Sequence, residues 1–172
     1  DAGCTATLIQ NLRVYVYSTV SDMYGFDNHG TIAGDARLTL NAHNKADLCH
    51  NLGRIATPLT LTINKASTSS PVYVMSSDAV LEDVRITSTG DVPVIVDLSG
   101  NTMATSSIYL DHGHISNGTL ITSSWESTTR GILDGIDVIL RDGGSAVLAP
   151  GQSFNALYIA SDDGRTASWS MT

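Results

Sequence analysis

The chain has 172 residues, 42% of them hydrophobic and 15% charged, with a formal net charge of -8. It is long enough to bury a core, too apolar and too weakly charged for disorder, and without an apolar run long enough to span a bilayer. A Lys-poor acidic surface repels phosphate backbones and anionic lipid, which excludes nucleic acid and membrane insertion and leaves neutral glycans or other protein surfaces as partners.

The chain begins at Asp1 rather than Met, which reads as a processed or trimmed product. Its two cysteines are Cys4 and Cys49. An even, sparse cysteine count on such a chain predicts export and one disulfide, Cys4–Cys49. Closing that loop would add about 4 kcal/mol in the chain-entropy model. A metal site built from His43, Cys49 and His50 has no recognised ligand spacing.

Leu12, Val14, Val16 and Val20 share one parity, and Arg13, Tyr15, Tyr17 and Thr19 the other, which is strand periodicity. Residues 21–35 (SDMYGFDNHGTIAGD) collect Gly, Asp and Asn and read as a long loop, a kind that is often functional. Tyr24 and Phe26 within it are the aromatics expected at the surface. ARLTLNA (36–42) and PLTLTIN (58–64) are strands. HNKADLCHNLG between them holds the best helix candidate, one turn ended by Gly53. From residue 71 onward short strand-like runs follow in close order, separated by Gly, Asp, Asn or Ser. No linker or low-complexity break appears, so residues 1–172 read as a single all-β extracellular domain.

One short phrase recurs: IQNLRV, LEDVRI, ISNGTL, LDGIDV and FNALYI, starting at residues 9, 81, 115, 133 and 154. Asn11, Asp83, Asn117 and Gly135 fall at one phase of it, where a solenoid corner needs a residue that tolerates left-handed backbone; the fifth copy has Ala156. Repeats of this length are the signature of solenoids. With VYVMSSDAVLEDVRITSTGDVPVIVDLSGN (72–101), and with ISNGTL and LDGIDV downstream, the chain resembles right-handed parallel β-helix proteins over residues 72–159. That resemblance implies a short parallel β-helix, a fold shared by secreted polysaccharide lyases and hydrolases, phage tailspikes and surface adhesins. The intervals of the phrase are irregular, and residues 21–66 do not follow it. An antiparallel β-sandwich or jelly roll of about ten strands, with turn signals every 8–12 residues or so, fits the same pattern.

Asp111, His112 and His114 sit in YLDHGHIS. On a strand His112 and His114 would face one side, where a pair of imidazoles can grip a metal; the plainer reading is a polar turn around Gly113. Glycoside cleavage needs two carboxylates across a cleft, and Asp83, Asp134 and Asp137 are the candidates; the plainer reading is solvated corner acids. No nucleophile elbow, Walker loop or dinucleotide fingerprint is present, and no cofactor is expected. Asp162-Asp163-Gly164 is a hairpin turn before it is a calcium loop. Asn117-Gly118-Thr119 is a glycosylation sequon. Trp125, Tyr24 and Phe26 are candidate glycan-stacking residues, with Trp169 and the remaining tyrosines behind them.

These features point to a non-catalytic structural or adhesive subunit on an extracellular, cell or virion surface. The types envisaged are a fibre, pilus-like, tail-fibre or surface-adhesin domain that self-associates into a homo-oligomer or filament. A carbohydrate-binding module and a β-helical polysaccharide lyase or hydrolase are the alternatives.

Overall fold

The computed structural model describes residues 3–16, 24–43, 45–50, 53–63, 69–141, 145–147, 150–160 and 170–171. The expectations for Tyr17, Trp169 and Asp162-Asp163 lie outside them.

Short strands follow one another around a coil. The first turn holds β1 (Thr5–Thr7), β2 (Leu12–Val16) and β3 (Tyr24–Asp27). The second holds β4 (Thr31–Ala33), β5 (Leu38–Ala42) and β6 (Lys45–Asp47), and the third β7 (Arg54–Ala56), β8 (Leu59–Ile63) and β9 (Val72–Val74). The next turns have two strands each: β10 (Ala79–Thr87) with β11 (Val94–Asp97), β12 (Thr102–Asp111) with β13 (Gly113–Ser116), and β14 (Thr119–Ser127) with β15 (Ile132–Asp134). Beyond them β16 (Ile136–Arg141) and β17 (Ser145–Val147), then β18 (Phe154–Ala160) and β19 (Ser170–Met171), continue the stack. Strands pair in parallel with those of neighbouring turns, the strands at the sheet ends on one side only among the described residues, giving three sheets in a parallel β-solenoid of about 6 turns. Parallel pairing removes the sandwich alternative, which requires antiparallel neighbours.

Alternation explains the wall. Leu38, Leu40 and Ala42 of β5 point inward over Leu59, Leu61 and Ile63 of β8, while Thr39 and Asn41 between them face out. Register then stacks like on like. Leu38, Leu59, Val84, Ile108, Trp125 and Ala146 form one inward row, with Leu12 in register at its exposed end. Phe26, Ala46, Tyr73, Val96, Ile115 and Leu133 form another on the facing sheet. Burying each large aliphatic side chain in such a row contributes about 1.5–3 kcal/mol. Tyr73 brings a hydroxyl into the second of these rows. Its hydroxyl donates to carbonyls of Leu40 and Thr62 (2.7 Å each) and accepts from the Ala42 amide at 3.0 Å, and burial pushes its pKa up.

Corners are where the chain turns tightly. Asn117 and Gly135 both have φ of 60°, and both stand at the corner that follows the sheet of β13 and β15. A Cβ on the neighbouring Gly118 would lie 2.4 Å from the Asn101 carbonyl oxygen and 2.5 Å from Leu98 Cβ, so no side chain fits there. The recurring phrase therefore has a structural basis, but in two registers. Asn11 and Asp83 directly precede the in-register pair-mates Leu12 and Val84, at a different corner from Asn117 and Gly135. Ala156 is within β18, opposite Asp137.

Three local expectations change. Residues 21–35 do not form one loop, because β3 and β4 lie within them. Lys45–Asp47 is a strand, not the start of a helical turn. Gly53 serves a close approach instead: a Cβ there would sit 1.9 Å from the Asn28 carbonyl oxygen. The Cys4–Cys49 disulfide is absent. Both thiols are free, Cys49 buried in the core and Cys4 exposed on the rim of a surface cleft. Burial, helped by the charge of Asp47, pushes the Cys49 thiol up to about 12.

Candidate functional site

The outer face of β10, β12, β14, β16 and β18 carries three parallel rows. Val80, Ala104, Ile121, Ile139 and Tyr158 stack in register as an outward apolar stripe along the solenoid axis. Val80 is 65% exposed and Tyr158 55%. On one side runs Thr102, Thr119 and Asp137, preceded by Asp78, whose carboxylate accepts the Thr102 amide at 2.7 Å. On the other, two residues further along each strand, run Glu82, Ser106, Ser123 and Arg141. A cleft of about 390 Å³ follows this face, and Arg54, Glu82, Ser106, Ser123 and Arg141 supply its polar lining around Val80, Ala104 and Ile121.

The groove exists because β10, β12 and β14 bend without breaking. At the bend Thr105 and Thr122 turn inward and their hydroxyls satisfy backbone carbonyls, of Glu82 and Ser107 for Thr105 and of Ser124 for Thr122. A buried hydroxyl so paired permits the change of direction without an orphaned carbonyl.

A second polar centre lies at the corner after β3 and β6. His29 Nε2 is 3.0 Å from Asp27 Oδ2, and His50 Nδ1 is 3.0 Å from Asp27 Oδ1 and 3.3 Å from Asp47 Oδ2. The two imidazoles stack with centroids 4.4 Å apart. Asp47 is wholly buried, its oxygens taken up by the amides of Cys49 (3.2 Å) and Ser76 (3.4 Å) and by the Ser76 hydroxyl. Asp27 and His29 also line a cleft of about 220 Å³ with Cys4, Thr5 and Thr31.

The sequence candidates disperse over the molecule. Asp83 sits in an ion pair, 2.6 Å from Arg37 Nη2, and accepts from the Ser107 hydroxyl. Partial burial is the largest single influence and raises its pKa. The hydrogen bonds from Ser107 and Arg37, with the charges of Arg37 and Arg85, outweigh it and hold the carboxyl below its usual range. Asp134 lies on the other sheet, 3.5 Å from His114. Asp137 flanks the apolar stripe, in a different row from Arg85. His112 and His114 do not share a face, because His112 turns the corner with φ of 53°. It meets the Gly90 carbonyl at 3.0 Å and Arg130 at 3.4 Å, while His114 faces Asp134. Arg130 is held in turn by Asp111, 3.2 Å away.

Among the aromatics Tyr24 is exposed and Phe26 packs against the core. Trp125 is not a surface platform; it is 1% exposed, with Phe154 edge-on at 5.8 Å. The sequon residue Asn117 is exposed and donates to Asp97 at 3.2 Å. Two features escaped the sequence reading. The apolar stripe was signalled only by Val80 and Ile121 breaking the polar parity of their strands. The histidine corner was signalled by Asp27-x-His29 and Asp47-x-x-His50, an Asp just ahead of a His at the end of two successive strands of one sheet.

Comparison with protein-family models, with curated proteins and with solved structures finds no match for the chain. The class is therefore defined by architecture alone: a parallel β-solenoid with an axial groove on one outer face and an Asp/His corner on another.

Proposed function

We propose that the chain is a non-catalytic adhesive domain of an extracellular, cell or virion surface that binds a neutral glycan along its axial groove. The observation that carries this reading is the outward apolar stripe Val80–Ala104–Ile121–Ile139–Tyr158, flanked by hydroxyls and carboxylates on one side and by hydroxyls, Glu82 and the arginines Arg54 and Arg141 on the other. An extended sugar chain has the matching chemistry: apolar ring faces for the stripe, and hydroxyls for the flanks. The rungs repeat every 4.8 Å or so, which suits a polymer laid along the axis.

Binding rather than cleavage follows from carboxylate spacing. Glu82 and Asp137 flank the stripe three strands apart, roughly 14 Å along the axis. Glycoside hydrolysis uses pairs separated by about 5–9.5 Å. Asp83 is committed to Arg37, and Asp134 is on another face.

The test is calorimetric titration with a panel of neutral and acidic polysaccharides. Wild type is expected to bind neutral members without releasing product. Val80→Glu, which puts a charge on an already exposed position, is expected to abolish binding with the fold intact. Unchanged affinity in that variant, or product release, overturns the reading.

Self-association is a second reading, favoured by the last described rung. Leu157, Tyr158 and Ile159 of β18 are all exposed along the outer edge of the largest sheet. β18 pairs with β16 on one side, and its other edge has no strand partner among the described residues; an open edge of this kind templates another chain's strand. Light scattering on a sizing column is expected to show a concentration-dependent oligomer that Ile159→Lys dissolves; a monomer at all concentrations removes this reading.

A further inference from the structure

We propose that Asp27, His29 and His50 form a three-ligand site for a first-row divalent transition metal, Zn²⁺ first, with its fourth position open to the neighbouring cleft. One ligand atom from each residue lies within 4.8 Å of the other two. The Asp27 carboxylate stands between the two rings, with Oδ2 3.0 Å from His29 Nε2 and Oδ1 3.0 Å from His50 Nδ1, so a modest movement brings one oxygen and both nitrogens to the roughly 3.3 Å spacing of donors around a tetrahedral ion with bonds near 2.0–2.1 Å.

Charge argues the same way. His50 Nδ1 faces two carboxylates at once, Asp27 and the fully buried Asp47. A ring nitrogen carries at most one proton, and this nitrogen makes no aligned hydrogen bond with either. A dication at the centre of the cluster satisfies Asp27 and both rings together, with the Asp47 charge beside it. The donor set of two imidazoles and one carboxylate favours Zn²⁺, Co²⁺ or Fe²⁺ over Ca²⁺ and Mg²⁺, which prefer all-oxygen shells.

The frame holds these groups in place. Asp27 and Asp47 are register partners on β3 and β6. Asn28, between two of the ligands, is buried and donates to the Leu48 carbonyl at 3.0 Å and the Arg54 carbonyl at 3.2 Å. Asp47 is itself fixed by Ser76 and Cys49, and its Oδ2 stands 3.3 Å from His50 Nδ1 as a buried negative charge beside the site. On the open side the cleft of about 220 Å³ leaves room for a water or a small anionic ligand on the metal.

The experiment is titration of Zn²⁺ alone into chelator-treated protein, followed by calorimetry and thermal melting, with Co²⁺ absorption as a geometry probe. One ion per chain is expected, with a melting temperature that rises with free Zn²⁺ and an intense tetrahedral Co²⁺ band. His29→Ala and His50→Ala should each weaken binding at least about tenfold, while His114→Ala leaves it unchanged. Should His50→Ala misfold, His29→Ala decides alone, because His29 is part-exposed and its ring contacts among the described residues are with Asp27 and His50. Two results overturn the proposal: no stoichiometric binding of Zn²⁺ or Co²⁺, or binding that survives His29→Ala and falls with His112→Ala or His114→Ala.

Discussion

The first three turns and the later ones solve the same packing problem with different corners. In the early turns three short strands are joined by corners with room for side chains: Asn28-His29-Gly30 after β3, and Leu48-Cys49-His50 leading on toward Gly53 after β6. In the later turns the first two strands fuse into β10, β12 and β14, and the equivalent corner shrinks to Asn117-Gly118 and then to Gly135 alone. Long corners gather polar side chains, and the histidine cluster is among them. Tight corners favour residues that tolerate left-handed backbone, and there the exposed side chains lie on the strand faces, where the apolar stripe runs. A solenoid thus has two places to put chemistry, and corner length decides between them.

The largest effects should not distinguish the two regions at all. Leu40→Ala in the second turn and Leu120→Ala in the sixth remove equally buried side chains. Each is expected to cost about 2–5 kcal/mol in denaturant unfolding. A cost confined to one of them would mean that the turns do not share one core.

The corners should differ. Asp47 and Asp97 occupy the same row of their sheet, each in register with Val74 from opposite sides. Asp47 is buried and accepts from Ser76 and Cys49 beside His50; Asp97 is half-buried and accepts from the Ser99 amide and Asn117. Asp47→Ala is expected to cost about 2–4 kcal/mol, and Asp97→Ala about 0.5–1.5 kcal/mol. Equal losses would remove the distinction between the two kinds of corner.

Asp83 joins the regions, because its carboxylate ties Arg37 of the second turn to Ser107 of the fifth. It is partly exposed, so solvent screening limits its worth, and Asp83→Asn is expected to cost about 1 kcal/mol at neutral pH. Its folded pKa lies below the unfolded one. The contribution is therefore complete above the unfolded value, about 3.9, and disappears as pH falls through the folded value. Melting curves of both proteins from pH 7 down to pH 2 should converge at the acid end; a constant gap contradicts the ion-pair assignment.

The smallest effect concerns the thiols. Cys4 is expected to react with a thiol reagent in the native state, and Cys49 only after unfolding. Reducing agent should leave the melting temperature unchanged. Loss of stability on reduction would restore the Cys4–Cys49 bond.

Strand content was legible because Leu38-Thr39-Leu40-Asn41-Ala42 alternates and Leu59–Ile63 alternates in the same sense. Alternation alone does not give direction, being identical in parallel and antiparallel sheets; it was the recurring phrase that pointed to parallel rungs, and the strands do pair in parallel. The phrase beginning at residues 115 and 133 marked a true corner, as Asn117 and Gly135 show. The copies at residues 9 and 81 matched it in composition while sitting at another corner. Cysteine number carried no information on which thiol is buried and which exposed. The site was hardest to read, because Val80, Ile121 and Tyr158 meet only through register across several turns. Residue spacing along the chain does not encode that meeting.

Every row described here depends on parallel register, and paired cysteines test it most directly. In a background lacking Cys4, Thr39→Cys with Thr60→Cys, and separately Asn41→Cys with Thr62→Cys, are expected to form disulfides under mild oxidation, because each pair is opposed across β5 and β8. Closure of Thr39→Cys with Thr62→Cys instead would mean antiparallel strands, and the groove and the histidine corner would both be lost with the solenoid.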